Sequence, residues 1–166
     1  MMRGTAATQV SIDYYSEEDF KNKYRIAYRL KDVLSRQFEN TPVYEGKEWK
    51  EGSLRAKIWQ NTDKRRFDIE PFTKEGTISF EGYVDFIMQA PIIVNKHNGE
   101  EFYDERTIGE ICSERKLSEE EMIHAMSMVF PMIRAKQFLE IRYADSMPIG
   151  RVLEYVRILK HDIIGN

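Results

Sequence analysis

The chain is poor in the residues that anchor metals and cross-links. A single cysteine, Cys112, stands among 166 residues, which excludes an intramolecular disulfide and a cysteine-cluster zinc site. One thiol fits a reducing compartment, and the expectation is a cytoplasmic chain. The histidines at 97, 124 and 161 lie too far apart for metal-ligand spacing. No apolar run approaches the roughly 20 residues needed to span a bilayer. The first residues lack the basic-then-apolar pattern of a secretory signal. Charge of one sign is missing too: 25 Lys and Arg against 28 Asp and Glu leave a net charge of −3. That balance removes the general electrostatic reason to expect nucleic acid or an acidic membrane as partner. The glycines are scattered, so neither a phosphate-binding loop nor a dinucleotide fingerprint is present. No repeat of roughly 20–50 residues and no low-complexity tract is visible.

What remains is ordinary for a soluble globular chain, at 42% hydrophobic and 32% charged residues. At about 150 residues per domain the length argues for one domain or one large piece of a larger one. Both ends carry segments patterned for burial, and the expectation is a piece of a longer enzyme, the alternative being a compact domain with buried termini.

Residues 5–14 alternate, with Gln9, Ser11 and Asp13 on one face and Val10, Ile12 and Tyr14 on the other, the period of a half-buried strand. Ser16 and Asp19 open a long helix whose apolar stripe runs Phe20, Tyr24, Ala27, Leu30, Leu34, Phe38. Its interleaved Lys21, Arg25, Arg29 and Arg36 are diluted by acids and read as a solvated face. Residues 45–66 read as irregular. A short helix is predicted from Ser79 to Ala90, then a buried strand at Ile92–Val94 and a hairpin turn at Asn98–Gly99. Thr107 to Cys112 reads as a helical turn. Ser118 with Glu121 forms a capping box ahead of a helix running through Met122 to Val129. Residues 137–143 form a second strand, with Leu139, Ile141 and Tyr143 opposite Phe138, Glu140 and Arg142. Strands and helices mix without regular βαβ alternation, so the expected class is α+β, with helices packed on one face of an antiparallel sheet.

Two features carry chemistry. In Glu140-Ile141-Arg142 a carboxylate and a guanidinium share a strand face about 7 Å apart along the chain. One reading is an ion pair on a solvated face; the other is a cation-holding acid beside a phosphoryl-gripping arginine. The second feature runs from Ser53 through Arg55 and Trp59 to Asp63 and Arg66. An arginine with a tryptophan suits a carboxylate clamp with an aromatic wall, or else a loop anchored by Trp59.

Taken together, these segments resemble the glutamate–cysteine ligases (γ-glutamylcysteine synthetases). The likeness rests on Met1 to Asp13 around Gln9-Val10-Ser11-Ile12-Asp13, on Phe38-Glu39-Asn40-Thr41-Pro42, and on Ser53-Leu54-Arg55 through Trp59 to Arg66. It closes with Phe130-Pro131, Arg134 and Leu139-Glu140-Ile141-Arg142-Tyr143-Ala144-Asp145. The resemblance implies a glutamine-synthetase-like fold, with residues 1–166 a single partial catalytic domain. It implies an ATP-dependent ligase in which the glutamate γ-carboxylate forms an acyl phosphate that the cysteine amine displaces. It further implies Glu140 as a Mg2+ ligand, Arg142 on the transferred phosphoryl group, Arg55 on substrate glutamate and Trp59 lining the pocket. Gln9 is implied as a substrate or nucleotide contact, and Arg66 as a substrate clamp. The family's other metal-binding carboxylates have no counterpart before Met1, so the expectation is a half-site with little ligase activity alone. Another amine acceptor, or a non-catalytic domain keeping the fold, are the alternatives, and open sheet edges are expected to favour self-association.

Overall fold

The computed structural model describes residues 4–67 and 78–165. Met1, Met2 and Arg3 of the first matched segment lie outside the described residues. The described residues divide into two compact units, one made of residues 4–62 and 132–165, the other of residues 63–67 and 78–131.

The first unit is built on a three-stranded antiparallel sheet ordered β1 (Val10–Asp13), β7 (Phe138–Ile141), β6 (Ile133–Ala135). Register places Ser11 and Arg134 on either side of Glu140, and Ile12 and Ala135 on either side of Leu139. Period-two alternation therefore makes one row polar and the next apolar. The apolar row is sealed, with Ile133, Leu139, Ile141 and Tyr143 each 0% exposed. Helix α1 (Glu17–Gln37) covers it. Ser16 caps α1 by accepting from the Asp19 N–H at 3.1 Å, and Asp19 in turn accepts from Tyr15 N–H rather than closing a full box. Phe20, Tyr24, Ala27, Leu34 and Phe38 are buried as the stripe predicts, whereas Leu30 is half-buried. Arg25, Arg29 and Arg36 are exposed, as expected of a solvated face. Two tyrosine hydroxyls tie helix to sheet: Tyr24 donates to Ile133 O at 3.1 Å and Tyr143 donates to Ala27 O. Each fully buried aromatic of this kind contributes about 1.5–3 kcal/mol.

Residues 45–66 are more ordered than the sequence suggests. A short hairpin (β2, Val43–Tyr44; β3, Lys47–Glu48) precedes helix α2 (Leu54–Gln60). Gly52, at a φ of 78°, supplies the left-handed turn ahead of the Ser53 cap. The unit closes on α7 (Ile149–Leu159), which continues as a π-helix over Lys160–Ile164.

The second unit contains α3 (Lys64–Phe67), α4 (Phe80–Met88), the hairpin β4 (Val94–His97) to β5 (Glu100–Tyr103), α5 (Ile108–Glu114) and α6 (Glu119–Met126). Asn98 and Gly99, at φ of 53° and 83°, form the predicted hairpin turn. Both Thr107 and Ser118 close full capping boxes, with Glu110 and Glu121. The strand expected at Ile92 begins at Val94 instead, because Ile92 N–H bonds to Arg106 O outside the ladder. Helices with paired or open antiparallel strands make the class α+β, as the sequence implies.

Candidate functional site

The polar row of the three-stranded sheet holds the site. Glu140 lies at its centre, 8% exposed, with Arg134 as its register neighbour on β6. Three cations approach its carboxylate: Lys136 Nζ at 2.6 Å from Oε1, Arg134 Nη1 at 3.5 Å and Arg142 Nε at 3.8 Å from Oε2. The hairpin explains the gathering. Pairing of Ile133 with Ile141 and Ala135 with Leu139 conserves parity across the turn, so the even-numbered residues 134, 136, 140 and 142 share one face.

Arg55 joins from α2. It is 6% exposed, and its Nε donates to Arg142 O at 3.3 Å. Trp59, one turn on and 7% exposed, places its ring 5.8 Å from the Arg55 guanidinium carbon, a cation–π contact. Burial pushes the Arg55 guanidinium down to about 10, and the charges of Arg142 and Arg134 add to that, with Asp145 and Tyr155 opposing. Burial likewise lowers Arg142, again helped by Arg134 and opposed by Glu140. Arg142 Nε and Nη1 are buried without a hydrogen-bond acceptor among the described residues. Asp145 is 4% exposed, and its Oδ2 accepts from Asn40 N–H at 2.8 Å and from Thr41 Oγ1 at 3.1 Å. It pins the end of α1 to the end of β7 beside the arginines.

The structure thus brings together Glu140, Arg142, Arg55 and Trp59. Gln9 is exposed, one residue ahead of β1 and two from Ser11, the register partner of Glu140. Arg66 belongs to the other unit, where Asp63 and the Met128 carbonyl hold it at 3.3 Å each. Burial lowers its guanidinium, with Asp63 opposing. Sequence reasoning assigned no role to Lys136, Arg134 or Asp145. Even-residue parity through a tight hairpin would have found the first two.

A carboxylate implied to hold magnesium must have a suitable donor set around it. Glu140 Oε2 is buried and accepts no hydrogen bond. Its three nearest charged partners are nevertheless all cations, and no group of three His, Cys, Asp or Glu suited to a metal occurs among the described residues. Magnesium demands a near-octahedral shell of oxygens. One carboxylate ringed by positive charge does not supply it, and the described residues do not fit the ion.

A surface cavity of about 500 Å3 lies in the second unit, lined among others by Lys96, His97, Arg115, Ser118, Glu120 and Glu121. Within it Lys96 pairs with Glu120, while His97 and Arg115 each reach Glu121 at 2.9 Å.

The description "glutamate-cysteine ligase family 2" fits residues 1–161 of this sequence. The chain belongs to that family. It is 31% identical over 160 residues to a chloroplastic glutamate–cysteine ligase of Brassica juncea, covering 92% of this chain and 31% of that protein. It is 32% identical over 160 residues to the chloroplastic ligase of Arabidopsis thaliana, with 92% and 31% covered. It is also 32% identical over 165 residues to the chloroplastic ligase B of Oryza sativa subsp. japonica, with 92% and 32% covered. The chain spans about a third of the length of these curated relatives. Their names place those glutamate–cysteine ligases in the chloroplast, which lends no support to the cytoplasmic expectation. Among the described residues no helix is long and apolar enough to cross a membrane.

Proposed function

We propose that this chain forms part of the substrate site of an ATP-dependent ligase that joins the glutamate γ-carboxylate to the cysteine amine through an acyl phosphate, the first step of glutathione synthesis. The carrying observation is the convergence of Arg55, Arg142 and Glu140 beside Trp59 in a chain of this family. In this reading the sheet is part of a glutamine-synthetase-like antiparallel sheet whose polar face holds substrates.

A glutamate carboxylate oxygen attacks the γ-phosphorus of ATP, the bond to the β-phosphate oxygen breaks, and ADP leaves. The amine of cysteine then attacks the acyl carbon, loses a proton and expels phosphate. Arg55 clamps a glutamate carboxylate with its fork, against the Trp59 ring. Arg142 directs unshared N–H donors at the moving phosphoryl group, where negative charge develops. Arg55 is buried and Arg142 half-buried, which shields an acyl phosphate that water would destroy. Gln9 serves as a substrate or nucleotide contact, and Arg66 as a substrate clamp within its own unit. Magnesium, which the resemblance implies with Glu140 as a ligand, enters no step here, because the described residues do not supply its oxygen shell. The outer edges of β1 and β6, which pair with no further strand among the described residues, offer a route to self-association.

Calorimetric titration of the chain with glutamate tests the reading. Saturable binding that Arg55→Gln weakens at least about tenfold supports it. Glutamate binding untouched by that change, or none at millimolar concentration, would sink it. In a full-length ligase carrying this segment, ADP release should require glutamate and an amine, and an acceptor screen separates cysteine from other amines.

A further inference from the structure

Two pieces of chain build the cavity of the second unit. One is the tip of the β4–β5 hairpin, from Lys96 to the Asn98-Gly99 turn; the other runs from Arg115 into the first turn of α6. Glu121 fastens the two together. Its Oε1 lies 2.9 Å from His97 Nδ1, its Oε2 accepts from the Ser118 N–H at 2.7 Å, and Arg115 Nη1 reaches both oxygens at 2.9 Å. Hydrogen bonds from Arg115, then from the Ser118 N–H and His97, hold the Glu121 carboxyl down to about 2, so it stays an anion fixed in the wall. The second acid, Glu120, is 76% exposed and pairs with Lys96.

Both acids are thus engaged by groups of the second unit itself, and donors are left over. Arg115 Nη2 is buried with no acceptor among the described residues, while the side chain as a whole keeps 25% exposure at the wall. Lys116 is exposed and forms no ion pair among the described residues. Ser118 Oγ accepts from the Glu121 N–H at 3.2 Å, which leaves its hydroxyl proton to give. Leu117, between them, is buried and supplies an apolar wall. A guanidinium, an ammonium and a hydroxyl thus stand within four successive residues. Three donors match the three terminal oxygens of a phosphomonoester, whereas a carboxylate presents two. A volume of about 500 Å3 exceeds that of a bare anion and lies in the range of small-molecule sites, roughly 300–1,000 Å3. Leu117 then faces the organic part of the ligand.

We infer that the cavity between the β4–β5 turn and the start of α6 binds a small phosphomonoester, with Arg115, Lys116 and Ser118 as its binding residues. This site stands on the second unit alone and goes beyond the ligase reading, since neither glutamate nor Arg55 enters it.

Calorimetry on the 166-residue chain tests it with glycerol 3-phosphate and, separately, succinate, two small dianions. Saturable binding of glycerol 3-phosphate is expected, at least about tenfold tighter than that of succinate. Arg115→Gln should weaken it at least about tenfold, and Arg115→Lys, which keeps the charge without the fork, should fall between. Lys116→Gln should weaken it about three- to tenfold. Arg25→Gln, on the exposed face of α1, should leave it unchanged. Circular dichroism checks that each variant is folded, and Lys116→Gln carries the comparison if Arg115→Gln is not, because Lys116 holds no ion pair among the described residues. Succinate binding as tight as the ester, or equal losses from Arg25→Gln and Lys116→Gln, would reduce the effect to general attraction for anions and overturn the site. Binding that Arg142→Gln removes and Lys116→Gln leaves intact would belong to the first unit and overturn it too. So would the lack of saturable glycerol 3-phosphate binding at millimolar concentration.

Discussion

Arg55 donates from Nε to the main-chain oxygen of Arg142 at 3.3 Å, across 87 positions of sequence. Helix α2 is thereby fastened to the end of β7, and two cationic side chains share one buried region. Burial, then the Arg142 charge, holds the Arg55 guanidinium down to about 10 against its usual 12.5. At pH 7, below both values, the cost of keeping it charged is fully present. Arg55→Met should therefore leave the ligand-free chain within about 1 kcal/mol of wild type, or more stable, because apolar replacements of buried ionic groups are commonly neutral or better. The stabilisation that glutamate confers should vanish with it. Urea unfolding with and without glutamate reads both. A large loss of stability without ligand would contradict the assignment of Arg55 to binding at a cost in stability.

The opposite is expected at Glu140. Its removal as Glu140→Gln leaves Arg134, Lys136 and Arg142 without their common carboxylate. Breaking a buried pair at one partner costs about 3–5 kcal/mol, with the lower end apt here because Lys136 is 39% exposed. A second change, Arg142→Met, should recover at least about 1 kcal/mol of that loss, since neighbours in one network do not add. Strict additivity in the double variant would show that the ion pair at 3.8 Å carries no energy.

Much of the first unit was legible because its signals are periodic. The α1 stripe, the Ser16 cap and the alternation around Glu140 each specify a face, and faces decide what is buried. Segment 45–66 was not legible, since seven helical residues around Arg55 are too few for a hydrophobic period to stand out against Trp59 and the charged neighbours. Glu140 and Arg142 were found by spacing. Their surroundings were not, because β6 is only three residues long and its register appears once Ile133 and Ile141 are seen to pair. The placement of Arg66 in a separate unit from Arg55 leaves no mark in a run of sequence that reads as continuous.

Asp104 offers a prediction on acid stability in the second unit. It is 8% exposed, Arg106 Nη2 lies 2.7 Å from Oδ2, and Asn95 Nδ2 donates to the same oxygen at 2.9 Å. Hydrogen bonding from Arg106, then from its backbone N–H and from Asn95, holds the carboxyl well below the usual carboxylate range against the cost of burial. A depressed carboxyl contributes stability above its ordinary value of 3.8, and that contribution is lost as pH falls below it. Asp104→Asn should thus cost about 1–3 kcal/mol at pH 7, with the gap to wild type narrowing as pH drops below 3.8. Urea midpoints for both proteins at a series of pH values give the curve. Parallel curves would mean that the Asp104 charge does not stabilise the fold.

Arg142→Lys separates charge from shape at the phosphoryl position. Lysine keeps the positive charge but offers a point donor in place of a planar fork, and its shorter reach also loosens the 3.8 Å contact with Glu140. If Arg142 stabilises charge that builds only as the phosphoryl group moves, the loss falls on kcat rather than on KM. In a full-length ligase carrying this segment the expected cost is about 3–4 kcal/mol in the barrier, some hundredfold to a thousandfold in rate. Steady-state kinetics with saturating glutamate and cysteine measure it. A rise in KM for ATP at unchanged kcat would move Arg142 from transition-state stabilisation to ground-state binding, and near-normal turnover would remove it from the reaction.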